Sequence, residues 1–352
     1  MSTPHAMEQG TGAIYIADRY RVVARVGYGG TAIVYRCVDE HDGRIVAVKA
    51  LRTNGPLLQE AAARFRREAH LAAQLSHRHI VRVMDFGYSR VPAANSPSPW
   101  ANDLDQAVPF VAMEYIFGPS LKDVVRRIYP MPLKWVYDLG YQLCGALEAA
   151  HALDVVHRDV KPQNVMLVDS EVELIAKLTD FGIARQVGGD FTTLTIAGQV
   201  LGTPDYLAPE QVMGEPGGPS CDLYSLGIVL YELITGHLPF EADSPLAAAS
   251  RRMVADPPPL STYRLDVPRS LEDVILVTLS REPGQRPRSA QELSTALSWS
   301  EQRDPVSAQG PRGAWLVNGV PTGPGGAARR RNTSPVAPIG DSNREDGPPA
   351  GQ

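Results

Sequence analysis

One short stretch of the chain carries three side chains whose types and spacing suit the transfer of a charged group. Residues 157–164 read HRDVKPQN, which places the carboxylate of Asp159, the ammonium of Lys161 and the carboxamide of Asn164 in one loop. A reaction that builds negative charge on oxygen atoms needs this mixture, because the attacking group must be oriented while the charge is neutralised. The stretch therefore predicts a catalytic loop.

Two further motifs follow downstream. Asp180-Phe181-Gly182 supplies a second carboxylate beside a glycine that lets the backbone bend, and Ala208-Pro209-Glu210 comes later. In this order and spacing the motifs resemble the protein-kinase superfamily, most closely the eukaryotic-like serine/threonine protein kinases of bacteria. The resemblance covers residues 20–298 and is specific because the motifs occur together.

The resemblance implies an α+β, bilobal protein-kinase fold. It assigns a strand-rich N-lobe to residues 20–114, a hinge to 115–118 and a mostly helical C-lobe to 119–298. Residues 1–19 are expected to form a flexible N-terminus. Residues 299–352 are rich in Pro and Gly and are expected to be a disordered tail, because they offer too little apolar surface for a core.

Charge and cysteine content argue against several functional classes. A formal net charge of -5 gives no basic surface for nucleic acid. Cys37, Cys144 and Cys221 are too widely spaced for a disulfide framework or a zinc site and suit a reducing cytosol. Residues 1–18 lack a signal-peptide core, and the best apolar stretch, 223–234, is too short for a bilayer. We therefore expect a cytoplasmic protein without a membrane or nucleic-acid partner.

The N-lobe begins with two β-branched runs joined by a glycine-rich turn. The turn contains Gly27 and Gly29 and leads to Val34, while Ala32 stands where the family pattern has a third glycine. Glycines let backbone N–H groups close on phosphates, although the same letters fit an ordinary hairpin turn equally well. The resemblance favours a phosphate-covering loop, in which Ala32 affects the fine geometry more than the role.

A lysine at the end of the third strand and a glutamate on the next helix form a second candidate pair. Taken alone, Lys49 reads as a solvated side chain, and Glu68 could pair with Arg64 at i, i+4. Glu68, however, follows Phe65 by three residues on a partly apolar face, where a carboxylate favours a buried cation. The resemblance implies that Lys49 holds the α and β phosphates of ATP and pairs with Glu68.

The remaining site residues rest on the resemblance. Asp159 would accept or orient the proton of the substrate hydroxyl, and Lys161 would stabilise the transferring γ-phosphoryl group. Asn164 and Asp180 would be oxygen ligands of Mg²⁺. The residues expected around the nucleotide are Val26, Gly27, Gly29, Val34, Ala47, Lys49, Glu68, Met113, Glu114, Ile116 and Met166.

Two further contacts and a switch are implied in the C-lobe. Glu210 is expected to pair with Arg286, and Asp222 to brace the catalytic-loop backbone. Residues 183–202 would be an activation loop, in which phosphorylation of Thr193 or Thr195 during transient self-association supplies an anion for Arg158. Solvated loop threonines are the plain alternative.

The sequence also bears on which amino acid accepts the phosphoryl group and on two alternative functions. Lys161 and Thr203 resemble the serine/threonine pattern, and Gln163 stands where basophilic relatives often have an acid. ATP and proteins are therefore the expected substrates. A kinase-shaped scaffold without activity is disfavoured by the complete motif set, and a small-molecule phosphotransferase is disfavoured by the Ala-Pro-Glu segment.

Overall fold

A computed structural model describes residues 13–28, 32–51, 59–89, 108–128, 130–170, 173–181, 204–215 and 217–304. The predictions for Gly29, the activation loop 183–202, Thr203 and the tail from residue 305 lie outside these ranges. No helix within the described ranges combines the length and hydropathy needed to cross a bilayer.

The upper lobe is built on one antiparallel sheet with the strand order β1-β2-β3-β4-β6-β5. Side chains alternate between its two faces, so each face buries its own apolar cluster. Val48 and Phe110 lie in one cluster, and Leu51 and Val111 lie in the other. The strands are β1 (Tyr15–Ile16), β2 (Tyr20–Tyr28), β3 (Ala32–Asp39), β4 (Ile45–Leu51), β5 (Val83–Ser89) and β6 (Val108–Glu114).

One helix, α1 (Gln59–Gln74), covers the second face of this sheet. Phe65, Ala69 and Ala72 recur at the spacing of one helical face and are all buried against the strands. Glu68 lies beside this buried face and is itself half-buried. The helix therefore brings a carboxylate to the side of the sheet that also carries Lys49.

The lower lobe is mainly helical and surrounds one large apolar core. At its centre lies α5, in which every residue from Cys221 to Thr235 is buried, as expected of a helix that is packed on all sides. A two-stranded antiparallel ribbon, β7-β8, follows the catalytic loop in sequence and packs against the helix Leu133–His151. The elements are α2 (Leu121–Val125), α3 (Leu133–His151), β7 (Val165–Asp169), β8 (Leu174–Leu178), α4 (Pro209–Val212), α5 (Pro219–Thr235), α6 (Pro245–Val254), α7 (Arg269–Thr278) and α8 (Ala290–Arg303).

The link between the lobes passes very close to the ribbon. A Cβ atom added at Gly118 would lie 1.8 Å from the carbonyl oxygen of Leu167, so only glycine fits there. Leu167 N–H donates to the carbonyl oxygen of Pro119 at 2.9 Å, and Ser120 forms a bridge to Met166. The backbone thus fixes the position of the link against the floor of the cleft.

Both ends of the ordered fold differ from the sequence expectation. Tyr15–Ile16 pairs with β2 and Ile16 is fully buried, so part of the predicted flexible segment 1–19 belongs to the sheet. At the other end, α8 continues to Arg303, so the first residues of the predicted disordered tail 299–352 are helical. There the Tyr137 and Ser300 hydroxyl groups are 2.9 Å apart.

Candidate active site

The three polar side chains of the catalytic-loop motif meet in the structure. Lys161 Nζ lies 2.7 Å from Asp159 Oδ2. Asn164 Nδ2 donates to the same oxygen at 3.0 Å and to the Asp159 carbonyl oxygen at 2.8 Å. A short 3₁₀ turn at Pro162–Asn164 folds the chain back so that residues five apart can touch. The cluster holds the Asp159 carboxylate in one orientation.

The backbone before this cluster is held by Asp222, which lies fully buried on α5. Asp222 accepts hydrogen bonds from His157 N–H at 2.8 Å and from Arg158 N–H at 2.6 Å. Arg158 has a φ of 62°, a left-handed conformation that a non-glycine residue adopts only when its surroundings enforce it. The prediction that Asp222 braces the catalytic loop is therefore confirmed.

His157 connects the catalytic loop to the Asp-Phe-Gly motif. Its Nε2–H donates to the Thr179 carbonyl oxygen at 2.8 Å, and its Nδ1 accepts from Asp159 N–H at 3.2 Å. Its ring also contacts Phe181, with 4.6 Å between ring centroids. Burial lowers the pKa of His157, which agrees with the neutral ring that these two hydrogen bonds require.

The Asp-Phe-Gly carboxylate forms the second charged pair of the site. Lys49 Nζ lies 2.9 Å from Asp180 Oδ1, and both side chains are partly exposed, at 14% and 27%. Asp180 has a φ of 66°, so its backbone is also held in a less common conformation. Among the ion pairs of the described residues, the partner of Lys49 is Asp180 and not the predicted Glu68. Glu68 makes other contacts of its own.

The oxygen atoms at this end of the site suit a hard cation. Both hydrogen bonds of Asn164 Nδ2 go to Asp159, which fixes the amide and leaves its oxygen to face another partner. Asp180 supplies a carboxylate on the next segment. Mg²⁺ is held in proteins by one or two such oxygens together with phosphate oxygens and water, so this donor set fits Mg²⁺.

Most of the residues predicted to surround the nucleotide lie on one face of the sheet. In the strand register Gly27 is opposite Val34, Val34 is opposite Lys49, and Ala47 is opposite Met113. Directly opposed residues of antiparallel strands point to the same side. Val26 lies at a register shift of β2, and Met166 lies on β7. Glu114 is the last residue of β6, and Ile116 follows two residues later in the link between the lobes.

A small cavity of about 30 Å³ lies behind this face. Met113, Lys49 and Phe181 line it together with Thr179, whose hydroxyl group donates to Met113 Sδ at 3.7 Å. This volume is enough for about one water molecule. Met113 therefore closes the inner end of the cleft.

The Ala-Pro-Glu segment is anchored from a distance of 76 residues in sequence. Arg286 donates two parallel hydrogen bonds to Glu210, from Nη1 at 2.7 Å and from Nη2 at 2.8 Å. Both residues are buried, and Arg286 also donates to the carbonyl oxygens of Ser280 and Arg281. This contact confirms the predicted pair and fixes the start of α4.

Several polar contacts of the site carried no local signal in the sequence. Tyr206 donates to Glu232 at 2.5 Å, and Glu232 also binds Lys122 Nζ at 2.8 Å. Gln211 donates to the Arg158 carbonyl oxygen at 3.1 Å, which joins α4 to the catalytic loop. Pairs between distant polar residues leave no periodic pattern, so sequence reasoning could not find them.

The comparisons with known proteins agree with this arrangement. The family described as "Protein kinase domain" matches residues 20–297. A probable serine/threonine-protein kinase of Corynebacterium efficiens is 36% identical over 289 residues, covering 80% of this chain and 41% of the relative. PknB of Mycolicibacterium smegmatis is 37% identical over 283 residues, covering 80% and 43% respectively. The chain spans less than half the length of these two curated relatives.

A solved structure shows the same likeness in three dimensions. The PknI kinase domain of Mycobacterium tuberculosis superposes with a TM-score of 0.63 at 26% identity, covering 82% of this chain and 98% of that one. Because the family match also extends over most of the sequence, the chain belongs to the protein kinase family.

Proposed function

We propose that this chain is a serine/threonine protein kinase that transfers the γ-phosphoryl group of ATP to serine or threonine side chains of proteins. The observation that carries the proposal is the meeting of Asp159, Lys161 and Asn164, with Lys49 and Asp180 paired on the next segment. The curated relatives bear the name serine/threonine-protein kinase. Phosphoryl transfer depends mainly on positioning the reactants and on neutralising charge. The cluster of Asp159, Lys161 and Asn164 and the pair of Lys49 and Asp180 both serve that purpose.

Asp159 orients the substrate hydroxyl group and accepts its proton. Lys161 and Asn164 hold the Asp159 carboxylate through contacts of 2.7 and 3.0 Å, so the base does not need to reorganise during the reaction. Lys161 also places a positive charge beside the oxygens of the transferring group. Both contributions lower the barrier because they are arranged before the reaction begins.

Asn164 and Asp180 would hold Mg²⁺ through their oxygen atoms. When bound, the cation neutralises the phosphate oxygens and helps to position them. Lys49 contributes a further positive charge for the α and β phosphates, and it can exchange Asp180 for Glu68 because both acids lie on its side of the sheet. The adenine ring lies between Ala47 and Met166, with Glu114 and Ile116 offering backbone hydrogen bonds at the hinge.

The acceptor preference follows from the lower rim of the site. Lys161 and Thr203 match the serine/threonine pattern, which leaves room for a short aliphatic hydroxyl group. Glu232 contacts Tyr206, which lies between the proposed activation loop and the Ala-Pro-Glu motif, but it already binds Lys122. This carboxylate is therefore not available to recruit arginine, and we expect no strong demand for arginine before the acceptor.

The same proposal includes activation by phosphorylation of Thr193 or Thr195 during transient self-association. Arg158 makes contacts of its own in the structure, so the switch does not depend on an isolated cation. Its position directly before Asp159 supports the idea, because a phosphothreonine bound there would reach the loop that orients the base. Mapping phosphates on active enzyme tests it, since activity with both threonines replaced by alanine would contradict it.

The buried state of all three cysteines supports a reducing location such as the cytoplasm. The proposed activity is tested by incubating the chain with γ-labelled ATP, Mg²⁺ and a generic protein substrate, followed by phosphoamino-acid analysis. We expect phosphoserine and phosphothreonine. Absence of transfer by a phosphorylated, folded chain, or a product that is mostly phosphotyrosine, would overturn the proposal.

A further inference from the structure

The lower lobe carries a groove that none of the proposed kinase residues except Arg286 touches. It has a volume of about 1320 Å³ and lies between the start of α3, helix α7, the turn at 285–287 and helix α8. Arg286 contributes to one wall while its guanidinium group stays buried on Glu210. The groove is therefore a separate surface of the C-lobe.

Part of the groove is lined by apolar side chains that are partly exposed. Val274 and Val277 of α7 line it together with Ala296 and Trp299 of α8. Val277 is 51% exposed and Trp299 is 55% exposed. Large apolar side chains that lie side by side at the surface of a lobe mark a binding site more often than isolated ones do. The rim is charged, and Asp273 lies on the exposed side of α7.

The end of the described chain lies in the same groove. Arg303 and Asp304 both line it, and Arg303 stacks on the ring of Trp299 at 5.1 Å. Beyond them the sequence is rich in Pro, Gly and polar residues, with one compact apolar run, Ala314-Trp315-Leu316-Val317. Trp315 is the only aromatic residue after Asp304. A single tryptophan beside Leu and Val is the kind of anchor that fills an apolar pocket.

The chain between Asp304 and Trp315 is long enough to fold back onto the groove. Trp315 lies eleven positions after Asp304, and this stretch can span at most about 36–40 Å. If it behaves as a random coil, the mean separation is about 17–20 Å. A segment tethered at this distance has an effective concentration in the millimolar range, so a weak contact suffices to hold it.

We propose that residues 313–317 bind back into this groove, with Trp315 inserted between α7 and α8 beside Trp299. Arg312 is the only charged residue between Asp304 and this run, and it then approaches the Asp273 carboxylate on the rim. The occupied groove supports the turn that carries Arg286. Through this turn the bound tail stabilises the ion pair between Arg286 and Glu210 without contacting the catalytic loop.

The inference is tested on the full chain by disulfide trapping. Cys37, Cys144 and Cys221 are all buried, so two added surface cysteines react selectively. One variant combines Val277→Cys with Val317→Cys. The matched control combines Val254→Cys with Val317→Cys, because Val254 is 75% exposed and lies outside the groove. Intact mass and peptide mapping then distinguish bonds within one chain from bonds between two chains.

We expect the disulfide between positions 277 and 317 to form within one chain at least about tenfold faster than the control bond, and Trp299→Ala to remove the difference. Equal rates in the two variants would overturn the proposal. Bonds mainly between chains would also overturn it, because a second copy would then be the occupant.

A second measurement avoids cysteines. Amide hydrogen exchange of the full chain should show residues 314–317 protected about tenfold relative to their intrinsic rates, with the protection lost in Val277→Asp. Exchange at intrinsic rates would overturn the proposal. Neither measurement uses kinase activity, so both remain decisive even if the proposed function is wrong.

Discussion

The two halves of the candidate active site are held in different ways. Asp159 and its neighbours stand on backbone that is hydrogen-bonded to Asp222, a fully buried residue of the central helix. Lys49 and Asp180, in contrast, meet through one ion pair between partly exposed side chains of different lobes. The lower half is thus coupled to the stability of the core, whereas the upper half can exchange partners at little cost.

The largest effect on stability is expected when the lower half loses its support. Asp222→Ala leaves the N–H groups of His157 and Arg158 buried without an acceptor, so the free energy of unfolding should fall by about 2–5 kcal/mol. Turnover should fall about 100-fold or more, because the base loses its position. Urea unfolding and phosphoryl-transfer assays measure the two losses. In Asp222→Asn, which keeps one acceptor oxygen, both losses should be smaller.

The matching change in the upper half should affect activity alone. Lys49→Met removes the ion pair with Asp180. The free energy of unfolding should nevertheless change by less than about 1 kcal/mol, because both groups are partly exposed. Turnover should still fall about 100-fold, since the positive charge that we propose beside the phosphates is lost. A loss of stability as large as that of Asp222→Ala would remove the distinction between the two halves.

A smaller effect is expected from the carboxylate that we propose as the alternative partner of Lys49. In the nucleotide-free chain Lys49 is paired with Asp180, so the loss of the Glu68 charge in Glu68→Gln should act mainly on the nucleotide-bound state. The rise in melting temperature on adding ATP and Mg²⁺ should shrink, together with about a tenfold loss of turnover. If the variant responds to nucleotide like the wild type, Glu68 takes no part in the exchange.

The smallest effect concerns pH. Burial lowers the pKa of His79, whose Nδ1–H donates to the Ala176 carbonyl oxygen at 2.9 Å, and the pKa values of His77 and His157 are lowered as well. The unfolded chain therefore binds more protons than the folded chain below pH 6.5, and stability falls as the pH drops through this region.

The pH effect can be assigned with one variant. His79→Asn keeps a donor for Ala176 but cannot take up a proton, so the difference in melting temperature between pH 7.5 and pH 5.5 should be smaller than in the wild type. If this difference in melting temperature is the same as in the wild type, His77 and His157 account for the pH effect.

How far the sequence predicts the site depends on the kind of contact. Asp159, Lys161 and Asn164 are neighbours in sequence, so a local motif contains nearly all of their geometry. The pair between Glu210 and Arg286 was predicted from the family resemblance, because no local property joins residues so far apart. The two strands on either side of the glycine-rich turn were predicted from their β-branched residues, and the structure has β2 and β3 there.

The remaining features depend on how distant parts pack. The partner of Lys49 is decided by how the two lobes are placed, which no spacing in the sequence records. The contacts of Glu232 with Tyr206 and Lys122 likewise arise only after three separate elements meet. Tyr15–Ile16 was missed because a two-residue strand is too short to show an alternating pattern.

The central claim is that Asp159 is the residue that orients the attacking hydroxyl group, while Lys49 and Asp180 serve the nucleotide. The direct measurement is Asp159→Asn, assayed in parallel for phosphoryl transfer and for ATP binding by calorimetry. We predict transfer at least about 1,000-fold below the wild type, with an ATP dissociation constant within about threefold of it. Near wild-type transfer by this variant, in a folded chain that binds ATP, would contradict the account.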